Sequence, residues 1–494
     1  MAIEFSRRSF ARLLGAAAGA VSLPAAAAAL PKSISSADND ASGIPPSSGR
    51  AFPDGFLWGS AVASYQVEGG VHDDGRGLSI WDTFSHTPGK IANGDTGDVA
   101  DDSFHRYRED VQLMKSLGLK VCRFSISWPR IYPTGTGTMN QRGMDYYNRL
   151  VDELLNAGIQ PFCTLYHWDL PQTLQDRGGW ENSDTGHLFA QYAAATAARL
   201  SDRVTHFMTM NEIRSFVELG YGTGLHAPGL QVGPKRLAQI SHYAVLGHGL
   251  AVQAIRASAR PGTKIGIADN LDATTPVIDT PENVQAAARA IRERNAMFLT
   301  VIQEGRYTDA YLRRLGPDAP RFTAEELKII SSPMDFTGLN IYTATPVRAD
   351  HSELGYALVP NPTSYPHMFS SWVTLGPEAL YWAPKLVANV WNVNEIYITE
   401  NGASSADVLN DEGHVLDSDR IMYLRSYLTQ LHRAVSEGVP VKGYCLWSLL
   451  DNFEWADGYG KRFGITYVDF KTEKRTPKLS AEFYRNVIAR NSVG

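Results

Sequence analysis

Cysteine is scarce in this chain: 494 residues hold only Cys122, Cys163 and Cys445. An odd, low count excludes a disulfide framework. Each lies in an apolar run read as a strand, in VCRFSISW, PFCTLYHW and GYCLWSLL, so three buried thiols packing as small hydrophobes are expected. None has an obvious base beside it, which argues against a catalytic cysteine. An excess of basic charge is also missing. There are 46 Lys and Arg against 52 Asp and Glu, a net charge of −6, which speaks against a nucleic-acid partner or an anionic membrane surface. No Gly-rich phosphate fingerprint follows any strand candidate, which weakens every nucleotide-binding reading. No cluster of ligand residues appears at diagnostic spacing, so neither a metal nor another cofactor is expected.

Long hydrophobic runs are equally rare. The one Ala-rich stretch, Leu13 to Leu30, is short, weakly apolar and interrupted by Pro24, which disfavours a spanning helix. It follows Ser6-Arg7-Arg8-Ser9-Phe10, a twin-arginine sequence, and Ala25 to Ala29 offer small-residue cleavage points. Residues 1–30 are therefore expected to be a twin-arginine signal peptide. The alternative is an uncleaved helix tethering the protein to a membrane. Residues 31–50, with SISSADNDASGIPPSSG, are expected to form a flexible linker. From 51 to 494 the character is uniform, as in one large domain. The expected location is periplasmic or secreted, with no membrane association after cleavage.

What the chain has is alternation. Apolar strand-like runs occur at Phe56–Val67, Val121–Trp128, Gln160–Trp168, His206–Glu212, Lys264–Asn270, Asp335–Thr343, Glu395–Glu400 and Lys442–Leu449. Amphipathic stretches lie between them, among them Phe104–Leu117, Met144–Ala157, His187–Leu200, Leu237–Ser258, Pro281–Glu304 and Asp419–Ser436. Eight buried strands with helices between them predict an α/β chain closed into a single (β/α)8 barrel, with a doubly wound open sheet as the rival.

A barrel enzyme works at the C-terminal ends of its strands. There the sequence sets polar and aromatic groups at nearly every position: Gln66, Arg123, His167-Trp168, Asn211-Glu212, Asn340 with Tyr342, Glu400-Asn401 and Trp447. Their convergence on one rim is hard to explain structurally, because buried charge is costly unless paired. Glu212 and Glu400 each follow an apolar run, HFMTMN and EIYIT. Two carboxyls facing across a barrel mouth suit glycosidic bond cleavage: one protonates the leaving oxygen, and the other attacks the anomeric carbon or activates water.

Six separated pieces then become recognisable: FPDGFLWGSAVASYQVEG, RFSISWPR, TLYHWDLP, TMNE, ITENG and WSLLDNFEWADGYGKRFG. Over residues 52–490 the chain resembles glycoside hydrolase family 1, the β-glucosidase family. That resemblance implies a retaining β-glycosidase with Glu212 as general acid/base and Glu400 as nucleophile, acting through a covalent glycosyl-enzyme. It implies that Gln66, His167, Asn211, Glu454 and Trp455 hold the glycone, and that Trp168 and Trp447 supply aromatic walls. Arg123, Asn340 and Tyr342 match positions that order the catalytic carboxylates. The family's usual cis peptide is expected at Trp447-Ser448. Glu454 would repel a 6-phosphate at short range, so the implied substrate is an unphosphorylated β-O-glucoside or short β-linked oligosaccharide. The chain departs from the family at Ile213, where Pro is usual, and at Ile341, where Tyr is common. A transglycosylase using the same residues is the alternative; a non-catalytic carbohydrate-binding barrel would lack one of the two Glu residues.

Overall fold

The structure, a computed structural model, describes residues 49–494. The expected signal peptide and all of the expected linker except Gly49 and Arg50 lie outside the described residues. The expected barrel is present. Eight strands close it in chain order: β1 (Leu57–Ala61), β2 (Val121–Ser125), β3 (Gln160–Tyr166), β4 (His206–Asn211), β5 (Lys264–Asp269), β6 (Thr337–Asn340), β7 (Ile396–Asn401) and β8 (Val441–Trp447). Every neighbouring pair is parallel, and β8 returns to β1 through the register Gly443↔Leu57 to Trp447↔Ala61. A closed parallel ring rules out the open sheet. The strands read as continuous apolar runs rather than alternating ones because both of their faces are covered; every residue of β2, β4, β6 and β7 is buried.

The outer ring is made by α1 (Ser103–Ser116), α2 (Gln141–Asn156), α3 (Asp184–Leu200), α4 (Pro234–Ser258), α5 (Pro281–Arg294), α6 (Ala379–Trp391), α7 (Ser418–Ser436) and α8 (Leu479–Arg490). Cys122, Cys163 and Cys445 are free, buried and on β2, β3 and β8; burial pushes all three thiols up. Among the described residues no helix is long and apolar enough to cross a membrane.

Two expected elements differ. The first strand stops at Ala61, and Ser64–Val67 forms a helical turn. The Ser64 amide donates to Ser125 Oγ at 2.8 Å and its hydroxyl to Asp169 at 2.9 Å, so polar anchors end the strand inside a run that reads as one strand. The expected helix Pro281–Glu304 divides into α5 and a separate helix, Leu299–Glu304. Buried Asn295 breaks it. Its Nδ2 donates to the Ile291 carbonyl at 2.6 Å while its Oδ1 accepts from the Asp272 amide at 2.7 Å, a side chain competing with the helix backbone.

Candidate active site

A cavity of about 550 Å³ opens at the C-terminal ends of the strands. Ten of the twelve sequence-predicted residues line it: His167, Trp168, Asn211, Glu212, Asn340, Tyr342, Glu400, Trp447, Glu454 and Trp455. The other two stand directly behind. Arg123 Nη1 is 2.5 Å from Glu400 Oε1, and Gln66 Nε2 is 3.4 Å from Glu454 Oε2. Gln66 reaches this place from the helical turn after β1, where it also donates to Asn452 Oδ1 and the Phe453 carbonyl.

Glu400 is the sixth strand's neighbour. The β7 backbone carries it next to Asn340 in register, and Ile341 N–H donates to the Glu400 carbonyl at 2.9 Å. Gly402 lets β7 press against β8, since a Cβ there would meet the Trp447 carbonyl at 1.8 Å. The peptide Trp447-Ser448 is cis, as the resemblance implied. Both Glu400 oxygens are served by donors: Arg123 on Oε1, and the Tyr342 hydroxyl on Oε2 at 2.7 Å. A guanidinium and a phenol thus hold the buried side chain through both oxygens. Burial and Glu400 push the Tyr342 phenol well above its ordinary value, so it stays a donor.

Glu212 has the opposite surroundings. It follows β4 in the left-handed region, φ +48°, and heads the short helix Ile213–Val217. Burial first and then Glu400 raise its carboxyl to about 8, against the opposing donors Asn340 and Ser215. Asn340 Nδ2 donates to its Oε1 and Ser215 Oγ to its Oε2, both at 2.8 Å. Buried Ile213 takes the first helical position, where a Pro also fits because that N–H has no helical partner. Neither Ile213 nor Ile341 displaces a carboxyl. Trp168 and Trp455 share the left-handed backbone, φ +78° and +49°, so three of the ten non-glycine residues with positive φ among the described residues line this one cavity. Such conformations persist only where surroundings enforce them, and they concentrate at functional sites.

Polarity in the site is set by Arg123, which can only donate. Its Nη2 is 2.6 Å from Asn211 Oδ1, which fixes that oxygen as an acceptor. Asn340 must then present Nδ2 to Asn211 Oδ1 at 2.9 Å, and its Oδ1 accepts from Thr399 Oγ1 at 2.7 Å. Asn211 Nδ2 in turn donates to His167 Nε2 at 2.9 Å. His167 is neutral, because burial and Arg123 push it well below its ordinary value, and its proton sits on Nδ1. His167 Nδ1 and Gln66 Oε1 are buried with no partner among the described residues. The resemblance implies a carboxylate at Glu454. Burial, then Asp457, Glu400 and Glu212, raise it to about 8, with Gln66 opposing, so Glu454 and Glu212 both hold their protons more tightly than ordinary carboxyls.

Sequence reasoning missed part of the outer wall. Trp372 is 51% exposed at the mouth, edge-on to Tyr342 and stacked on Phe463. Leu219, Leu225 and His226 face the same cavity, as do Ser215 and Asn270. Ser215 had a readable signal: on a helix begun by Glu212 it lies one turn on. Trp372 had none, since it stands on a loop between β6 and α6. Among the described residues no group of three or more His, Cys, Asp or Glu is placed to hold a metal ion.

The model of glycosyl hydrolase family 1 matches residues 48–493. A 1,4-beta-D-glucan glucohydrolase of Thermotoga neapolitana is 44% identical over 446 residues, covering 90% of this chain and 99% of that protein. Beta-glucosidase A of Thermotoga maritima is 43% identical over 450 residues, covering 90% and 99%. The solved structure of a Thermotoga maritima β-glucosidase in complex with glucoimidazole superposes with a TM-score of 0.82 at 43% identity, over 90% of this chain and 100% of that one. With the barrel, the two carboxyls in opposed environments and a match along nearly the whole described chain, this protein belongs to glycosyl hydrolase family 1.

Proposed function

We propose that the protein is a retaining β-glucosidase acting on unphosphorylated β-O-glucosides or short β-linked oligosaccharides. The observation that carries this is the division of labour between two buried carboxyls in one cavity. Glu212 is raised to about 8 and holds its proton at neutral pH, while Glu400 faces Arg123 and Tyr342. Glu400 attacks the anomeric carbon as Glu212 gives its proton to the departing oxygen. Glu212, now a carboxylate, takes a proton from water, which releases the sugar with retained configuration.

The rest of the cavity fits a neutral sugar. None of its lining residues is Lys or Arg, and Arg123 is already spent on Glu400 and Asn211. A sugar phosphate would meet acidic groups with no free cation. Gln66 Oε1 and His167 Nδ1 lack protein partners, and buried polar atoms of this kind are ordinarily satisfied; sugar hydroxyls supply both a donor and an acceptor. Names among the relatives, β-glucosidase and glucan glucohydrolase, support the gluco reading. The twin-arginine sequence supports export, so the substrates are glucosides met outside the cytoplasm.

The test is proton NMR of the first sugar released from an aryl β-glucoside: retention gives β-glucose first and inversion gives α-glucose. Replacing Glu212 with Ala separates its role: kcat/KM falls roughly 100- to 10,000-fold for poor leaving groups and far less for dinitrophenyl glucosides. For export, cells expressing the wild type and the Arg7→Lys, Arg8→Lys double variant are fractionated. Export of the wild type alone supports the signal; equal retention of both in the cytoplasm contradicts it.

A further inference from the structure

Glu212 has two oxygens, and the hydrogen bonds around it distinguish them. Oε1 receives the Asn340 amide, whose orientation Arg123 dictates through Asn211. An oxygen facing a fixed N–H donor is poorly placed to carry a proton of its own. The acidic proton is therefore directed to Oε2. That oxygen lies 2.8 Å from Ser215 Oγ, and Ser215 Oγ accepts from Asn270 Nδ2 at 2.8 Å. Ser215 and Asn270 both line the cavity.

A hydroxyl is the one neighbour that suits both states of this carboxyl. It has one proton to give and two lone pairs. With Asn270 on one lone pair, Ser215 donates to Oε2 when Glu212 is ionised and accepts from it when Glu212 is protonated. We propose that Ser215, oriented by Asn270, is a positioning residue for the proton-transfer step, holding the proton of Glu212 on Oε2 until a glycosidic oxygen takes it. The inference rests on Glu212 being the general acid. No proton passes through Ser215 to the substrate: the O–H bond of Glu212 breaks as the leaving oxygen gains the proton, and Ser215 then donates to the carboxylate left behind. Asn270 is 55 residues from Ser215 in sequence, whereas Ser215 reaches Oε2 because the helix headed by Glu212 puts it one turn away.

The test is Ser215→Ala, with Ser215→Thr to restore a hydroxyl and Asn270→Ala to remove the orienting donor. The readout is kcat/KM over aryl glucosides of graded leaving-group ability, each as a full pH profile. Ser215→Ala should lose roughly 10-fold with phenyl-type leaving groups and clearly less with dinitrophenyl groups, the size of one hydrogen bond to a charged group. Its basic limb should move up by about half a pH unit to one unit, because of the two bonds lost the one to the ionised form is the stronger. Ser215→Thr should restore both readouts, and Asn270→Ala should show the same pattern more weakly. Equal loss on all leaving groups, or a basic limb that does not move, overturns the proposal. Glu212→Ala in the same series keeps the two claims apart. If it discriminates between leaving groups and Ser215→Ala does not, Glu212 is the acid and Ser215 is not its positioning residue. If neither discriminates, the role given to Glu212 itself fails.

Discussion

Of the buried charge clusters among the described residues, two are built on opposite plans. Beside β7 and β8, Asp407, Asp417 and Asp451 meet Arg420, Arg462 and Lys478. Lys478 Nζ gives its three protons to Asp407 at 2.6 Å, Asp451 at 2.6 Å and the Gly464 carbonyl at 2.7 Å. Arg420 donates to Asp407, to Asp417 and to the carbonyls of Ala403 and Arg462. Arg462 holds the other oxygen of Asp451 at 2.7 Å. Acids and bases balance, and the donors are used. At the cavity, Arg123 pairs with Glu400 while Glu212 and Glu454 have no ion-pair partner among the described residues, and His167 and Gln66 keep unpartnered atoms. Saturation marks the first cluster as structure. Imbalance beside open volume marks the second as a site, because groups left unsatisfied by the fold are available to a substrate.

The two clusters also answer pH in opposite senses. Burial pushes Asp407 up, but Arg420 and Lys478 outweigh it and hold the carboxyl below its ordinary value. Its contribution to stability is present above that ordinary value and is lost as pH falls through the lowered one. Glu212 and Glu454 bind their protons more tightly in the fold, at about 8, than the ordinary 4.5. Their contribution is complete below about pH 4.5 and is lost as pH rises toward about 8. Acid weakens the structural cluster, and base weakens the site.

The sharpest way to break this contrast is to remove one member from each side. Glu400→Gln should lower kcat/KM for aryl β-glucosides on the order of 10⁵-fold or more, the scale of losing a nucleophile, while chemical denaturation should show stability kept or raised. A stability loss as large as that from the structural cluster would erase the distinction. Lys478→Met removes the cation that Asp407 and Asp451 share and leaves them only Arg420 and Arg462, which should cost about 3 kcal/mol of unfolding free energy. At a temperature where the variant is folded, its kcat/KM should stay close to wild type. Tyr342→Phe removes one hydrogen bond to Glu400 and should cost roughly 10- to 100-fold in kcat/KM, with little change in denaturation midpoint. The smallest effect is in pH dependence. The wild-type kcat/KM should fall above about pH 8 as Glu212 loses its proton, and Glu454→Gln should flatten the loss of stability between about pH 4.5 and pH 8. A variant whose stability declines with pH as steeply as the wild type would show that Glu454 is not the group responsible.

How much of this is written locally explains what was legible. Each barrel strand is buried on both faces and announces itself as an apolar run, so β2 through β8 could be read in order. The turn at Ser64–Val67 could not, because Ala63, Tyr65 and Val67 keep the alternation of a strand and the anchors that bend it, Ser125 and Asp169, are distant in sequence. Glu212 and Glu400 were legible as polar groups closing apolar runs, and their partners through the family's motifs. Trp372 and Asn270 come from loops and strand ends whose meeting depends on closure of the ring. The structural cluster was invisible for the same reason: Asp407, Arg420, Asp451 and Lys478 carry no shared motif, and only the packing of α7 and α8 beneath the β8 loop brings them together.

The central claim is that Glu400 bonds to the sugar. Incubation with 2-deoxy-2-fluoro-β-glucosyl fluoride slows both chemical steps and lets the glycosyl-enzyme accumulate, so intact-mass and peptide mass spectrometry read the attachment directly. The expected result is one fluoroglucosyl group per chain, on the peptide carrying Glu400, formed in step with loss of activity. An adduct on any other residue, or turnover with no adduct and α-glucose as the first product of an ordinary β-glucoside, would contradict it.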